Sequence, residues 1–192
     1  MKKLLCVLAV IVTVASCSEK YPIDPLPDDS TPPALTNLPA SFASIDSFVP
    51  FGGTLSNGQI SKGYTFHFTN SNQTISAVCK GIVTAVDDNG DGSVSITARY
   101  KINSVYYLYY SGIENTTVAV NDSIVGGSSL GKLRASGSFY LAVIKNNTEM
   151  RCPNTYASSG FMTGIDQAIA KHNQFNPADS VYNACLIDSL PK

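Results

Sequence analysis

From Phe48 onward, short alternating apolar runs are cut by turn clusters at nearly regular spacing. That punctuation constrains the fold more than any other feature, because it leaves room for strands and little room for helices. Tyr64-Thr65-Phe66-His67-Phe68 alternates, and Ile75 to Val86 is a long β-rich run around Gly81. Asp87-Asp88-Asn89-Gly90-Asp91-Gly92 reads as a turn, and Val94 to Tyr100 alternates again. Val105 to Tyr110 is rich in aromatics, and Phe139 to Ile144 is a further strand. Tyr (10) and Gly (14) are plentiful and charged residues make up only 14%, the vocabulary of strands and turns. The expected class is all-β, an antiparallel sandwich or barrel. One short C-terminal helix is predicted from the capping-box form of Thr163-Gly164-Ile165-Asp166, with Ile165 and Ile169 on one face and Pro177 beyond its end.

The N-terminus carries an address. Met1-Lys2-Lys3 is positive, and the apolar run from Leu4 to Val14 is too short to span a bilayer. It closes on Val14-Ala15-Ser16-Cys17, which resembles a bacterial lipobox. The expectation is a signal peptide over 1–16 and lipid on Cys17, whose acyl chains suffice for stable anchoring. Ser18 at the next position, in place of Asp, favours the outer membrane. Residues 17–42 hold six of the ten prolines and read as an extended tether. A β domain over 43–157 and a helical tail over 158–192, packed on it, complete the expected organisation. Without Lys2 and Lys3, the 13 basic residues fall to eleven against 14 acidic ones. No basic stripe for nucleic acid is present. The two histidines exclude most multi-histidine metal sites.

Once Cys6 is removed and Cys17 lipidated, Cys79, Cys152 and Cys185 remain in an oxidising compartment. Three single pairings are possible. Cys152 with Cys185 is chosen because it ties the tail back to the last strand, leaving Cys79 buried and free in mid-strand. Two motifs have structural readings. Asp87-x-Asn89-x-Asp91-Gly92 matches half of a calcium loop, but its twelfth position is Ala98, so a hairpin turn is expected. Gly127-Ser128-Ser129-Leu130-Gly131 has nucleophile-elbow spacing, with Asp166 and His172 downstream, yet a strand-like segment follows where a helix is required.

Four segments in order resemble the LytM/lysostaphin-type zinc endopeptidases. They are Ile75-x-Ala77-x(3)-Gly81-x-Val83, then Val120 to Gly131, then Phe139 to Asn146, and finally Cys152-Pro153-x-x-Tyr156. The resemblance spans roughly residues 60–156 and implies the glycine-rich β-sandwich known as the duplicated hybrid motif. The zinc ligands that it implies do not carry over. His67 stands for the first, but Ser71 replaces the carboxylate four residues on, and the segment before Ile75 is short for this register. Tyr109, within Tyr107-Leu108-Tyr109-Tyr110, takes the place of an assisting histidine, and Ser138-Phe139-Tyr140 takes that of H-x-H. The implied protein is a catalytically inactive envelope lipoprotein with no cofactor, binding peptidoglycan, a glycan or a partner hydrolase. Tyr107, Tyr109, Ser138, Tyr140 and His67 are its candidate binding residues, with Tyr106 and Tyr110 as further candidates for the groove. The alternatives are an active metallo-endopeptidase with unusual ligands such as His67 and Asp46, and a structural sandwich unrelated to peptidases. Convergence of Ser138, Tyr140, Tyr109 and His67 on one pocket would support the correspondence.

Overall fold

The computed structural model describes residues 26–192; the expected signal peptide, Cys17 and the start of the expected tether lie outside them. Eleven strands are linked by antiparallel pairing. They are β1 (Ile45–Val49), β2 (Tyr64–Phe68), β3 (Thr74–Ser76), β4 (Gly81–Asp88), β5 (Val94–Arg99) and β6 (Tyr106–Glu114), followed by β7 (Ser123–Ile124), β8 (Ser129–Leu133), β9 (Ser138–Lys145), β10 (Glu149–Arg151) and β11 (Ser189–Pro191). The main path runs β1-β2-β9-β6-β5-β4-β7, with β3 on β8, β8 on the far end of β6, and β10 between β9 and β11. One helix, α1 (Ser159–Phe175), precedes the last strand. Among the described residues no helix is long and apolar enough to cross a membrane.

Alternation decides the core. One face of the main sheet presents Tyr64, Phe66, Ile96, Leu108, Tyr110, Phe139 and Leu141, all essentially buried. The core extends through Ile75, Ala77, Val78, Leu130 and Leu133 of the β3 and β8 region. Phe66 packs against Phe42, Phe48 and Phe139 at ring separations of 5.1 to 6.0 Å. The Tyr110 hydroxyl accepts the Val78 N–H at 3.2 Å. Burial raises its phenol well above the usual range, so it stays a neutral hydrogen-bonding group.

The long run predicted over Ile75 to Val86 is broken into β3 and β4. Cys79 falls in the link between them; it is buried and free, as expected, but not in mid-strand. The helix begins earlier than predicted, because Ser158 and not Thr163 caps it. The Ser158 hydroxyl accepts the Phe161 N–H at 3.3 Å, and Thr163 instead donates to the Ser159 carbonyl within the helix. Phe161 and Ile165 are fully buried. His172, also buried, accepts the Phe48 N–H at Nδ1 (3.1 Å) and donates from Nε2 to the Asp179 carbonyl (2.7 Å). The helix thereby closes the open edge of β1, which would otherwise expose unpaired backbone.

The proline-rich stretch is no free tether from residue 27 on. Asp29 bridges Ser104, and its carboxylate meets Lys101 at 2.7 Å. Leu35 bridges Ala157 and is fully buried. The Thr36 and Asn37 N–H groups both reach the Val78 carbonyl. Proline removes donors but leaves carbonyls and side chains able to bind a surface, so proline content does not distinguish a spacer from a strap. The tail is held by the Cys152–Cys185 disulfide, with Cα atoms 6.0 Å apart. The Tyr64 hydroxyl lies 3.6 Å from one sulfur and 3.5 Å from the other.

Candidate functional site

The second face of the main sheet is polar where the first is apolar. Register places His67 opposite Ser138 and Thr65 opposite Tyr140, while Ser111 lies on the other side of Tyr140. One step further across, Ser95 pairs with Ser111 and Thr97 with Tyr109. Each strand contributes alternate residues, so these side chains share a face.

His67 Nδ1 lies 2.9 Å from Ser138 Oγ. The Tyr140 and Tyr109 rings meet edge to face at 6.0 Å. The Tyr109 hydroxyl donates to Ser95 Oγ at 2.8 Å, and that hydroxyl lies 2.9 Å from Ser111 Oγ and 2.8 Å from Asn89 Oδ1. Tyr140 also borders an open depression of about 530 Å³ lined by Leu55, Gln59, Ile60 and Lys62. On the other flank, His67 borders one of about 590 Å³ that includes Asp46, Ser136 and Asn176.

Four of the five predicted binding residues, His67, Ser138, Tyr140 and Tyr109, share this face, but they do not converge on one pocket, because Tyr140 and His67 border separate depressions. Tyr107 is on the same face but further along, opposite Ile144. There it is claimed by Arg99, whose guanidinium covers the ring at 4.9 Å and donates from Nε to the hydroxyl at 2.8 Å. Tyr106 and Tyr110 are buried on the opposite face and line no groove, because strand alternation sends them into the core. Sequence reasoning missed Ser95, Ser111 and Asn89. The alternation of β5 does point Ser95 outward, but the pairing that brings it to Tyr109 is set only when β5 docks on β6.

Burial lowers the pKa of His67, opposed by the Asp46 carboxylate, so the ring is neutral at neutral pH. Burial also raises the Tyr140 phenol, with Tyr109 adding to the shift, so it stays protonated. A resident zinc needs about three N, O or S donors and an open position. This face offers one imidazole, already engaged by Ser138, among neutral hydroxyls that are poor ligands for the ion. Among the described residues no three His, Cys, Asp or Glu side chains gather. The donor set present here does not fit the zinc of the resembled peptidases.

The two other motifs are structural. In the β4–β5 turn, Asp88 accepts the Gly90 N–H (2.8 Å) and Asp91 accepts the Ser93 N–H (3.1 Å) while meeting Arg134 at 2.6 Å. Gly90 and Gly92 take the positive φ angles, +77° and +82°, that the turn requires. Ser128 sits in a turn, where its hydroxyl accepts the Val125 N–H, and strand β8 follows it.

No protein-family model matches the chain, and no curated protein matches it in sequence. Solved structures do. Csd3 of Helicobacter pylori superposes with a TM-score of 0.53 at 14% identity, covering 77% of this chain and 43% of its own. A zinc-containing peptidase from Vibrio cholerae gives 0.49 at 18%, covering 60% and 38%. The catalytic domain of the antimicrobial peptidase lysostaphin from Staphylococcus simulans gives 0.46 at 17%, covering 57% and 87%. The chain spans less than half the length of the first two. At such identities the likeness is one of fold. The β architecture that sets His67, Ser138, Tyr140 and Tyr109 on one face is the fold this chain shares with Csd3.

Proposed function

We propose that this chain is a catalytically inactive, peptidase-like binding module of the bacterial cell envelope, anchored by lipid on Cys17 and facing peptidoglycan. The observation that carries this reading is the composition of the polar face. Where the resembled peptidases set histidines and a carboxylate, Ser138, Tyr140 and Tyr109 share a face with a single neutral His67. Such a face has no means of activating water, but it retains what recognition needs. Tyr109 and Tyr140 offer flat area, the Tyr109 hydroxyl held by a network through Ser95, Ser111 and Asn89 and the Tyr140 ring edge to face against Tyr109. Hydroxyl-rich and amide-rich ligands such as wall peptides or glycans match that chemistry.

The test is retention of the purified chain on isolated sacculi. Wild-type protein is expected to sediment with them, and Tyr140→Ala or Tyr109→Ala to weaken retention roughly tenfold, as loss of a buried aromatic contact does. A partner hydrolase recovered in place of wall binding would move the reading to a scaffold. Cleavage of wall peptides by zinc-loaded protein would overturn the inactive assignment.

A further inference from the structure

One end of the main sheet carries apolar groups that the core does not use. Ile102, at the tip of the β5–β6 turn, is 67% exposed, Val125 is 64% exposed and Leu26 is 63% exposed. Lys80, Tyr100, Lys101, Ile124 and Val125 line one shallow depression of about 270 Å³ there. The Lys80 and Lys101 ammonium groups each lie 5.5 Å from the centre of the Tyr100 ring. Exposed aliphatic tips beside a tyrosine and long cationic stems form an amphipathic surface, suited to the boundary between headgroups and acyl chains. Charge is not the main attraction, since Asp29 pairs with Lys101 and Asp28 stands exposed beside it.

The path of the chain names the occupant. The N-terminal strap enters the domain at this same end. The Asn103 amide donates to the Pro27 carbonyl at 2.6 Å, the Asp29 N–H reaches the Asn103 carbonyl, and the Val105 N–H reaches the Asp29 carbonyl. Leu26 is the ninth residue after Cys17. Nine residues reach at most roughly 30 Å. The patch is therefore confined close to any bilayer that holds Cys17, at high effective concentration, and weak contacts suffice to seat it.

We propose that the β5–β6 end of the domain rests on the bilayer that holds the chain's own N-terminus, with Ile102, Val125 and Leu26 entering the headgroup region. This rests on the lipid-anchor reading of Cys17. Strand β6 runs from this end at Tyr106 to Ser111, so docking would turn the Ser111, Ser138 and His67 end of the polar face away from the membrane, toward the wall.

The test uses the full chain, produced with its lipid and reconstituted in phosphatidylcholine vesicles. A bimane fluorophore is placed at Ile102→Cys, or on the exposed face of α1 at Gln167→Cys. Brominated acyl chains are expected to quench the label at 102 about twofold or more over that at 167. A label at Val125→Cys should also be quenched, and should fall to the level of 167 when Ile102→Glu is added. Equal quenching at 102 and 167, in protein that floats with the vesicles and carries acylated Cys17, would overturn the docking surface and leave the anchor intact. An unmodified Cys17 in the mass spectrum would overturn the anchor and the docking with it.

Discussion

Single side chains in this molecule divide between structural closure and the polar face. His172 belongs to closure. With Nδ1 accepting from β1 and Nε2 donating to Asp179, both nitrogens are used, and His172→Phe would strand the buried Phe48 N–H and release the Asp179 carbonyl to solvent. Urea unfolding at pH 7.5 should show a loss of about 1–3 kcal/mol. His67 belongs to the polar face. Its folded pKa lies below the ordinary 6.5 because burial disfavours the imidazolium, so its NMR titration midpoint should fall under that value. The unfolded chain then binds the proton more tightly. The contribution of His67 to stability is full above about pH 6.5 and is lost as pH falls through the folded pKa. A midpoint above 6.5 would mean that the Asp46 charge outweighs desolvation. Cys79, whose thiol burial pushes up to about 12, should resist alkylation at pH 8 until the protein unfolds.

At the scale of elements, α1 shows how a local signal can be read correctly in kind and misplaced in position. Thr163 and Asp166 have the form of a cap, but Ser158 is the residue whose backbone leaves the helical region, at φ −70° and ψ 163°. Capping needs that geometry as well as an oxygen, and only the packing of Phe161 and Ile165 decides where the first turn lies. Ser158→Ala should cost about 1 kcal/mol, whereas Thr163→Ala should cost less than half of that. Equal losses in thermal unfolding would contradict the assignment. The break between β3 and β4 has a similar origin. Two apolar segments adjoin in sequence, but the Val78 N–H is claimed by Tyr110 and the Val78 carbonyl by Thr36 and Asn37. No strand partner remains for that residue.

For the molecule as a whole, the disulfide and the N-terminal strap do related work. Each fastens a chain end to the sheet, the strap through Leu35 and Asp29, the tail through Cys185. The bridge closes a loop with a sequence separation of 33 residues. Replacing both cysteines by serine should cost roughly 3–4 kcal/mol in urea, mostly by releasing the unfolded chain. A change under 1 kcal/mol would show that the contacts of α1 hold the tail without it.

The sequence by itself determined the β class, the strands β2, β5 and β9 almost to the residue and the β4–β5 turn, and it narrowed the disulfide to three pairings, of which the structure forms Cys152–Cys185. These depend on alternation, on glycines at positive φ and on counting thiols, all of them local or combinatorial. The resemblance also picked out Ser138, Tyr140, Tyr109 and His67, which share one face of the sheet without lining one pocket. Only the tertiary structure decided that Tyr107 belongs to Arg99, that Tyr106 and Tyr110 are core, that Ser95, Ser111 and Asn89 complete the polar face, and that the proline-rich stretch is a strap. Each of these turns on cross-strand register or on long-range backbone pairing. A slip of one residue in register reverses every side chain of a strand, and nothing in the strand's own sequence reveals which partner residue it will face.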